Sequence, residues 1–297
     1  GAGGGGRIAI YYDEMVLATG NVVATSAGTG RGGAAGTMYL KDNAQPTGDL
    51  IIDNGNLTAG VVTPLRTGLS VLRALVISNG GGVAMSAADV PSLSVEQAVP
   101  MNGNSSLTLN GGTTLAVTNA TGFDLNVQGG STLTLNAGAT LNANSLRING
   151  ATLSSDIGLS FPVATDLELS GAGTINVLND GTLSLGRMDG TNIQSGTLNL
   201  AQGSRLAVTS DSVTVASGVT LIKDGTFGVL DQVASLTVQN GGVVTHAVRD
   251  TAGLVLNVTG TLTVASGGYV DVSGKGLRGG NGGSAFGVAG EALDESG

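Results

Sequence analysis

The 297-residue chain has 52 glycines, no cysteine, no tryptophan and a formal net charge of −9 at pH 7, and these figures exclude several classes of protein. Without cysteine there are no disulfide frameworks, thiol nucleophiles or zinc–thiolate sites, and 12 basic residues spread against 21 acidic ones set nucleic-acid binding aside. Only 11% of residues are charged while 41% are hydrophobic, so the chain is no disordered polyampholyte, and 3% aromatics require a narrow interior filled by Leu, Val, Ile and Ala.

In chain order, Gly3-Gly4-Gly5-Gly6 leads into Arg7-Ile8-Ala9-Ile10-Tyr11-Tyr12, which reads as a strand. A glycine-dense loop covers Gly28 to Gly36. Thr37-Met38-Tyr39-Leu40-Lys41 reads as a short strand, and a turn region carrying Pro46 follows it. From Leu50 onward one phrase recurs: apolar, small polar, apolar, polar, then a corner with Asn or Gly. It is written as Leu107-Thr108-Leu109-Asn110-Gly111-Gly112, Leu133-Thr134-Leu135-Asn136-Ala137-Gly138 and Ser235-Leu236-Thr237-Val238-Gln239-Asn240-Gly241-Gly242. In such strands the apolar residues at i and i+2 share a face and the Thr or Asn between them faces water. Asn and Gly suit the corners because they tolerate positive φ.

The leading apolar residues fall at Leu50, Leu75, Leu93, Leu107, Leu125, Leu146, Leu167, Leu183, Leu198, Val213, Leu236 and Leu262, about 19 residues apart on average. That period is a solenoid signature. Leucine-rich repeats share it but need helix or its equivalent on the far side, and amphipathic 3.6-residue spacing is missing. The expectation is an all-β chain folded as a right-handed parallel β-helix of about 11–13 coils, the hand following the general rule for parallel crossovers. Residues 1–49 are expected to form N-terminal strands and a Gly-rich loop that begin the solenoid. Residues 50–275 form the regular part, and 276–297 a Gly-rich tail or inter-unit loop.

Gly3-Gly4-Gly5-Gly6-Arg7-Ile8-Ala9-Ile10, Gly36 to Lys41 with Asp49 to Gly55, and Val270-Asp271-Val272-Ser273-Gly274-Lys275-Gly276 resemble phrases of giant repeat-bearing bacterial surface proteins. The later coils are similar to the parallel β-helix shafts of autotransporter passengers and filamentous adhesins. The resemblance implies a secreted, extracellular or cell-surface location and a shaft that acts as a stalk or contact surface.

Chemistry-bearing motifs are thin. Gly274-Lys275 follows a strand but misses the phosphate-loop spacing, with Tyr269 and Gly276 where Gly and Ser or Thr belong. The lone His246 reads as a solvated or corner histidine. Asp and Asn at turns leave calcium as a ligand to consider, although neither the twelve-residue calcium loop nor the Gly-Gly-x-Gly-x-Asp repeat occurs. Asp166 and Glu168 flank Leu167 on one face, the arrangement a β-helical polysaccharide lyase or hydrolase would need, but acids at turns are ordinarily turn residues. Asn56, Asn104, Asn119 and Asn257 fit the glycosylation sequon, as chance expects in so Asn- and Thr-rich a chain.

The reading is therefore non-enzymatic, with no catalytic, cofactor or metal residue assigned. The chain is expected to be a segment of a longer polypeptide or a fibre subunit that assembles end to end through uncapped termini. Gly3, Gly4, Gly5, Gly6, Arg7, Tyr11, Tyr12, Tyr269, Leu277, Arg278 and Phe286 are the candidate self-association residues. An adhesin that binds glycan or a surface laterally is the first alternative, and a β-helical polysaccharide lyase or hydrolase the second. No run of 18 apolar residues exists to cross a membrane as a helix.

Overall fold

The computed structural model describes residues 3–16, 19–26, 33–57, 61–163, 166–201, 203–227 and 233–276. The chain is nearly all β, with 46% strand and 1% helix, and winds as a parallel β-solenoid of about 9 turns. It divides into two compact units, residues 1–157 with 165–175, and residues 158–164 with 176–297.

In the first unit each turn visits three walls. One wall carries Asp49–Asp53, Ala74–Ser78, Val99–Met101, Leu125–Gln128, Leu146–Asn149 and Leu167–Ser170 in that order. The second carries Thr63–Pro64, Gly82–Met85, Ser106–Leu109, Thr132–Leu135 and Thr152–Ser155, and the third Val71–Leu72, Ser92–Val95, Thr114–Val117 and Thr140–Asn142. Like residues stack in register: Leu125 on Leu146 on Leu167, and Leu107 on Leu133 on Leu153. These leucines are wholly or almost wholly buried. Each contributes about 1.5–3 kcal/mol through removal of its side chain from water.

The second unit repeats the scheme. Ser212–Val215, Ser235–Val238 and Thr261–Val264 form one wall, and Gly196–Leu200, Val219–Lys223, Val243–Thr245 and Tyr269–Val270 lie in order along another. Leu159–Phe161, Thr182–Leu185 and Arg205–Val208 form a third, and Gly225–Phe227 pairs with Leu254–Leu256. Its corners show why glycine is so common. Gly196 N–H donates to Gly218 O at 2.9 Å, Gly218 to Gly241 at 3.0 Å and Gly241 to Gly267 at 2.7 Å, so the backbone ladder continues around the bend. Gly218, Gly241 and Gly267 hold φ of 75–80°, a conformation that a β-carbon makes costly.

The coil count is lower than the expected 11–13 because the apolar pairs of successive walls are not successive coils. Leu75, Leu93 and Leu107 lie on three different walls of the first unit. A full turn is longer than 19 residues: Ser105 meets Ser131 across 26 residues, Arg147 meets Glu168 across 21, and Asn176 meets Asn199 across 23.

Before the first turn the chain does something the coils do not. Arg7–Tyr12 pairs in parallel with Thr37–Asp42, which then runs antiparallel to Asp49–Asp53. Both strands extend the first wall of their unit rather than starting a coil. Val22, Ala24 and Met38 pack with Ile8, Ile10 and Ile51 into a small apolar cluster, so this extension has its own buried side.

Candidate interaction surfaces

The two chain-terminal surfaces are built differently. At the N-terminal side of the first unit, Leu65 and Leu72 of the first turn are buried, and so is Leu50. The second wall begins with the two-residue strand Thr63–Pro64, whose proline lacks the N–H that another strand would need. That end was expected to be uncapped; its first-turn leucines are instead covered. Arg7, Ala9, Tyr39 and Arg66 line a cavity of about 230 Å³ with those three leucines.

The glycines before the first strand are committed to this packing. Gly5 N–H donates to Ala34 O at 2.9 Å, and a β-carbon on Gly5 would fall 2.1 Å from Ala24 O and 2.2 Å from Gly36 N. Gly6 O accepts from Thr37 N–H, whereas Gly3 has open space around it. Arg7 and Tyr11 are exposed and Tyr12 is half-buried. Tyr11 lies edge-on to Tyr39 at 5.9 Å between ring centroids. Burial pushes the Tyr39 hydroxyl above its usual value, helped by Tyr11 beside it.

At the C-terminal side of the second unit the alternation is intact but the burial is gone. Leu236 and Val238 are fully buried, yet Leu262 and Val264, stacked on them in register, are 49% and 45% exposed. Val244 is fully buried, and Val270 above it is 41% exposed beside Tyr269 at 56%. Thr261–Val264 and Tyr269–Val270 are the outermost strands of their sheets among the described residues, so one edge of each keeps unpaired peptide groups. Beyond them, Lys275 N–H closes on Val272 O and Ser273 N–H on Asp271 Oδ1, which makes Gly274-Lys275 part of a tight turn. The hydrogen bonds from Ser273 hold the Asp271 carboxyl below its usual value, aided by Lys275. Leu277, Arg278 and Phe286, and all but the first residue of the tail at 276–297, lie outside the described residues.

The side chains with chemical potential elsewhere are engaged in structure. Glu168 Oε2 accepts from Arg147 Nη2 at 2.9 Å and Oε1 from Ser170 Oγ at 3.0 Å. Arg147 Nε lies 2.9 Å from Oε1 as a charge contact without hydrogen-bond geometry, and the guanidinium covers the Phe123 ring at 4.8 Å. Glu168 is thus held by the Arg147 cation. Asp189 pairs with Arg187 and caps Thr191. Among the described residues no group of three or more His, Cys, Asp or Glu side chains converges as a metal site. A groove of about 460 Å³ lies over the first wall between Val22, Met38, Ile51 and Val76. Its one acid, Asp53, already accepts from Gly55 N, Ser78 Oγ and Asn79 Nδ2.

The fold buries two polar groups, His246 and Lys223, and half-buries a third, Asp49. His246 is a corner histidine, but buried rather than solvated, with Nδ1 2.7 Å from Ala247 O. Lys223 is buried too, its Nζ donating to Asp224 O at 2.9 Å. Its signal was available: Val219, Leu221 and Lys223 alternate on one face, so Lys223 follows the inward series. Asp49 forms an ion pair with Arg73, yet burial outweighs the arginine and holds its carboxyl above the usual value.

No family model, no curated protein and no solved structure matches the chain.

Proposed function

We propose that the protein is a structural subunit of an extracellular fibre or surface stalk of the secreted bacterial kind, assembling end to end through the last turn of its solenoid. The observation that carries the reading is the exposure of Leu262, Val264 and Val270, whose counterparts one rung earlier are buried. A solenoid turn buries its apolar row only against neighbours on both sides, so an open last turn is a surface that self-association would cover. The free edges of Thr261–Val264 and Tyr269–Val270 add backbone donors and acceptors to that surface. Engagement of Glu168, Asp189 and Asp53 in structural bonds agrees with a mechanical rather than a chemical role.

Sedimentation and light scattering across a concentration series test it. The wild-type chain is expected to form assemblies that grow with concentration, and the double variant Leu262→Lys with Val264→Lys is expected to stop that growth while keeping its β circular dichroism. Growth unaffected by the two lysines, or no growth in the wild type, overturns the proposal.

A further inference from the structure

The opposite end of the chain carries a second association surface, and its geometry dictates a register. Arg7–Tyr12 pairs with Thr37–Asp42 on one side and has no described strand on the other. Thr37 N–H donates to Gly6 O at 3.1 Å, and Asn43 N–H to Tyr12 O at 2.7 Å. Peptide groups alternate in direction along a strand, so the even-numbered residues are spent on this neighbour, and Arg7, Ala9 and Tyr11 aim theirs at the open edge. The usual protections of an edge are a proline, a bulge or an inward charge. The strand Arg-Ile-Ala-Ile-Tyr-Tyr has none of these three and only one charged side chain, Arg7 at its first position, whereas the neighbouring wall begins with Thr63–Pro64.

We infer that this edge is a homodimer interface in which the Arg7–Tyr12 strands of two copies pair antiparallel about a two-fold axis at Ala9. In an antiparallel pair, opposed residues share a face, and doubly bonded residues must oppose doubly bonded residues. The three outward-bonding residues, Arg7, Ala9 and Tyr11, are symmetric about Ala9, so only the register centred there employs all three on both copies and makes about six backbone hydrogen bonds. The side chains agree with it. Arg7 then stands opposite Tyr11 of the second copy, a cation beside an exposed ring. On the other face Ile8 meets Ile10 of the second copy. Both are only partly buried in one chain, so the cluster of Val22, Ala24 and Met38 would continue across the axis. This surface does not depend on the last turn, and the two associations can be broken separately.

Because the chain has no cysteine, single cysteines report the register directly. Ala9→Cys places its two copies about 5.5 Å apart between α-carbons, within disulfide range. Tyr11→Cys, on the same edge and face, places them four residues apart along the strand, about 14 Å, out of range. Mild oxidation is expected to convert Ala9→Cys to a covalent dimer at least about tenfold faster than Tyr11→Cys, in the wild-type and the Leu262→Lys/Val264→Lys backgrounds alike. Ala9→Pro removes an N–H that faces solvent and is expected to weaken dimerisation at least about tenfold without lowering the melting temperature. Equal crosslinking at positions 9 and 11, no crosslinking at 9, or a folded Ala9→Pro protein that dimerises like wild type overturns the inference. If Ala9→Pro unfolds, the cysteine pair decides alone.

Discussion

The first turn of one unit and the last turn of the other have the same kind of sequence and opposite fates. Leu65 and Leu72 in the first turn are 2% and 0% exposed, while Leu262 in the last described turn is 49% exposed. Both rows obey the same apolar alternation, so alternation decides which face of a strand points inward but not whether that interior is closed. Closure comes from what lies on the next rung. At the first turn this is the N-terminal extension, whose Arg7, Ala9 and Tyr39 line a cavity with Leu65 and Leu72; at the last turn no described strand follows.

The sharpest way to break that contrast is to remove the same methyl groups from equivalent positions. Leu236→Ala, in a filled interior, is expected to cost about 2–5 kcal/mol by urea denaturation. Leu262→Ala, one rung later, is expected to cost less than about 1 kcal/mol under conditions where the chain is monomeric. A large loss for Leu262→Ala in monomeric protein would mean that the last turn is covered in solution, and the contrast would fall.

A smaller effect probes the corners that both regions share. Gly241→Val puts a branched side chain at φ 77°, within 3.0 Å of Ser217 Oγ, and is expected to cost about 1–3 kcal/mol in the same assay. Gly3→Val, in open space before the first strand, is expected to cost nothing measurable. The smallest expected effect is electrostatic and belongs to the closed end. Burial holds the Asp49 carboxyl above its usual value, so the folded chain keeps that proton to a higher pH than the unfolded chain does. Its contribution is therefore fully present below the ordinary aspartate value and is lost as pH rises through the window above it. Asp49→Asn is expected to flatten the fall of stability across that window; an unchanged slope in denaturation midpoints measured at several pH values would show that the aspartate is not its source.

Much of the fold was legible because a strand's period of two is a local property. Leu107-Thr108-Leu109 or Leu236-Thr237-Val238 declares its inward face without reference to anything distant, and the Asn-Gly corners declare where the wall turns. The candidate surfaces were only half legible. Arg7, Tyr11, Tyr12 and Tyr269 could be named as end residues, but Gly5 is taken up by packing against Ala24 and Gly36 within the same chain. The apolar residues that carry the open turn, Leu262, Val264 and Val270, look in sequence like any other core row. Arg147, Glu168 and Phe123 assemble from three places in the sequence, and no local pattern joins them.

By itself, then, the sequence determined an all-β solenoid with a Leu and Val interior and Gly and Asn corners, since each of these follows from composition and from spacings of a few residues. Tertiary structure alone decided that about 9 turns form, that Lys223 and His246 lie buried, that Arg7–Tyr12 has no described strand on one edge and that the last described turn is exposed. Those outcomes depend on which residues stack across 21 to 26 positions, and stacking at that distance is set by the register of whole turns rather than by any neighbour in the chain.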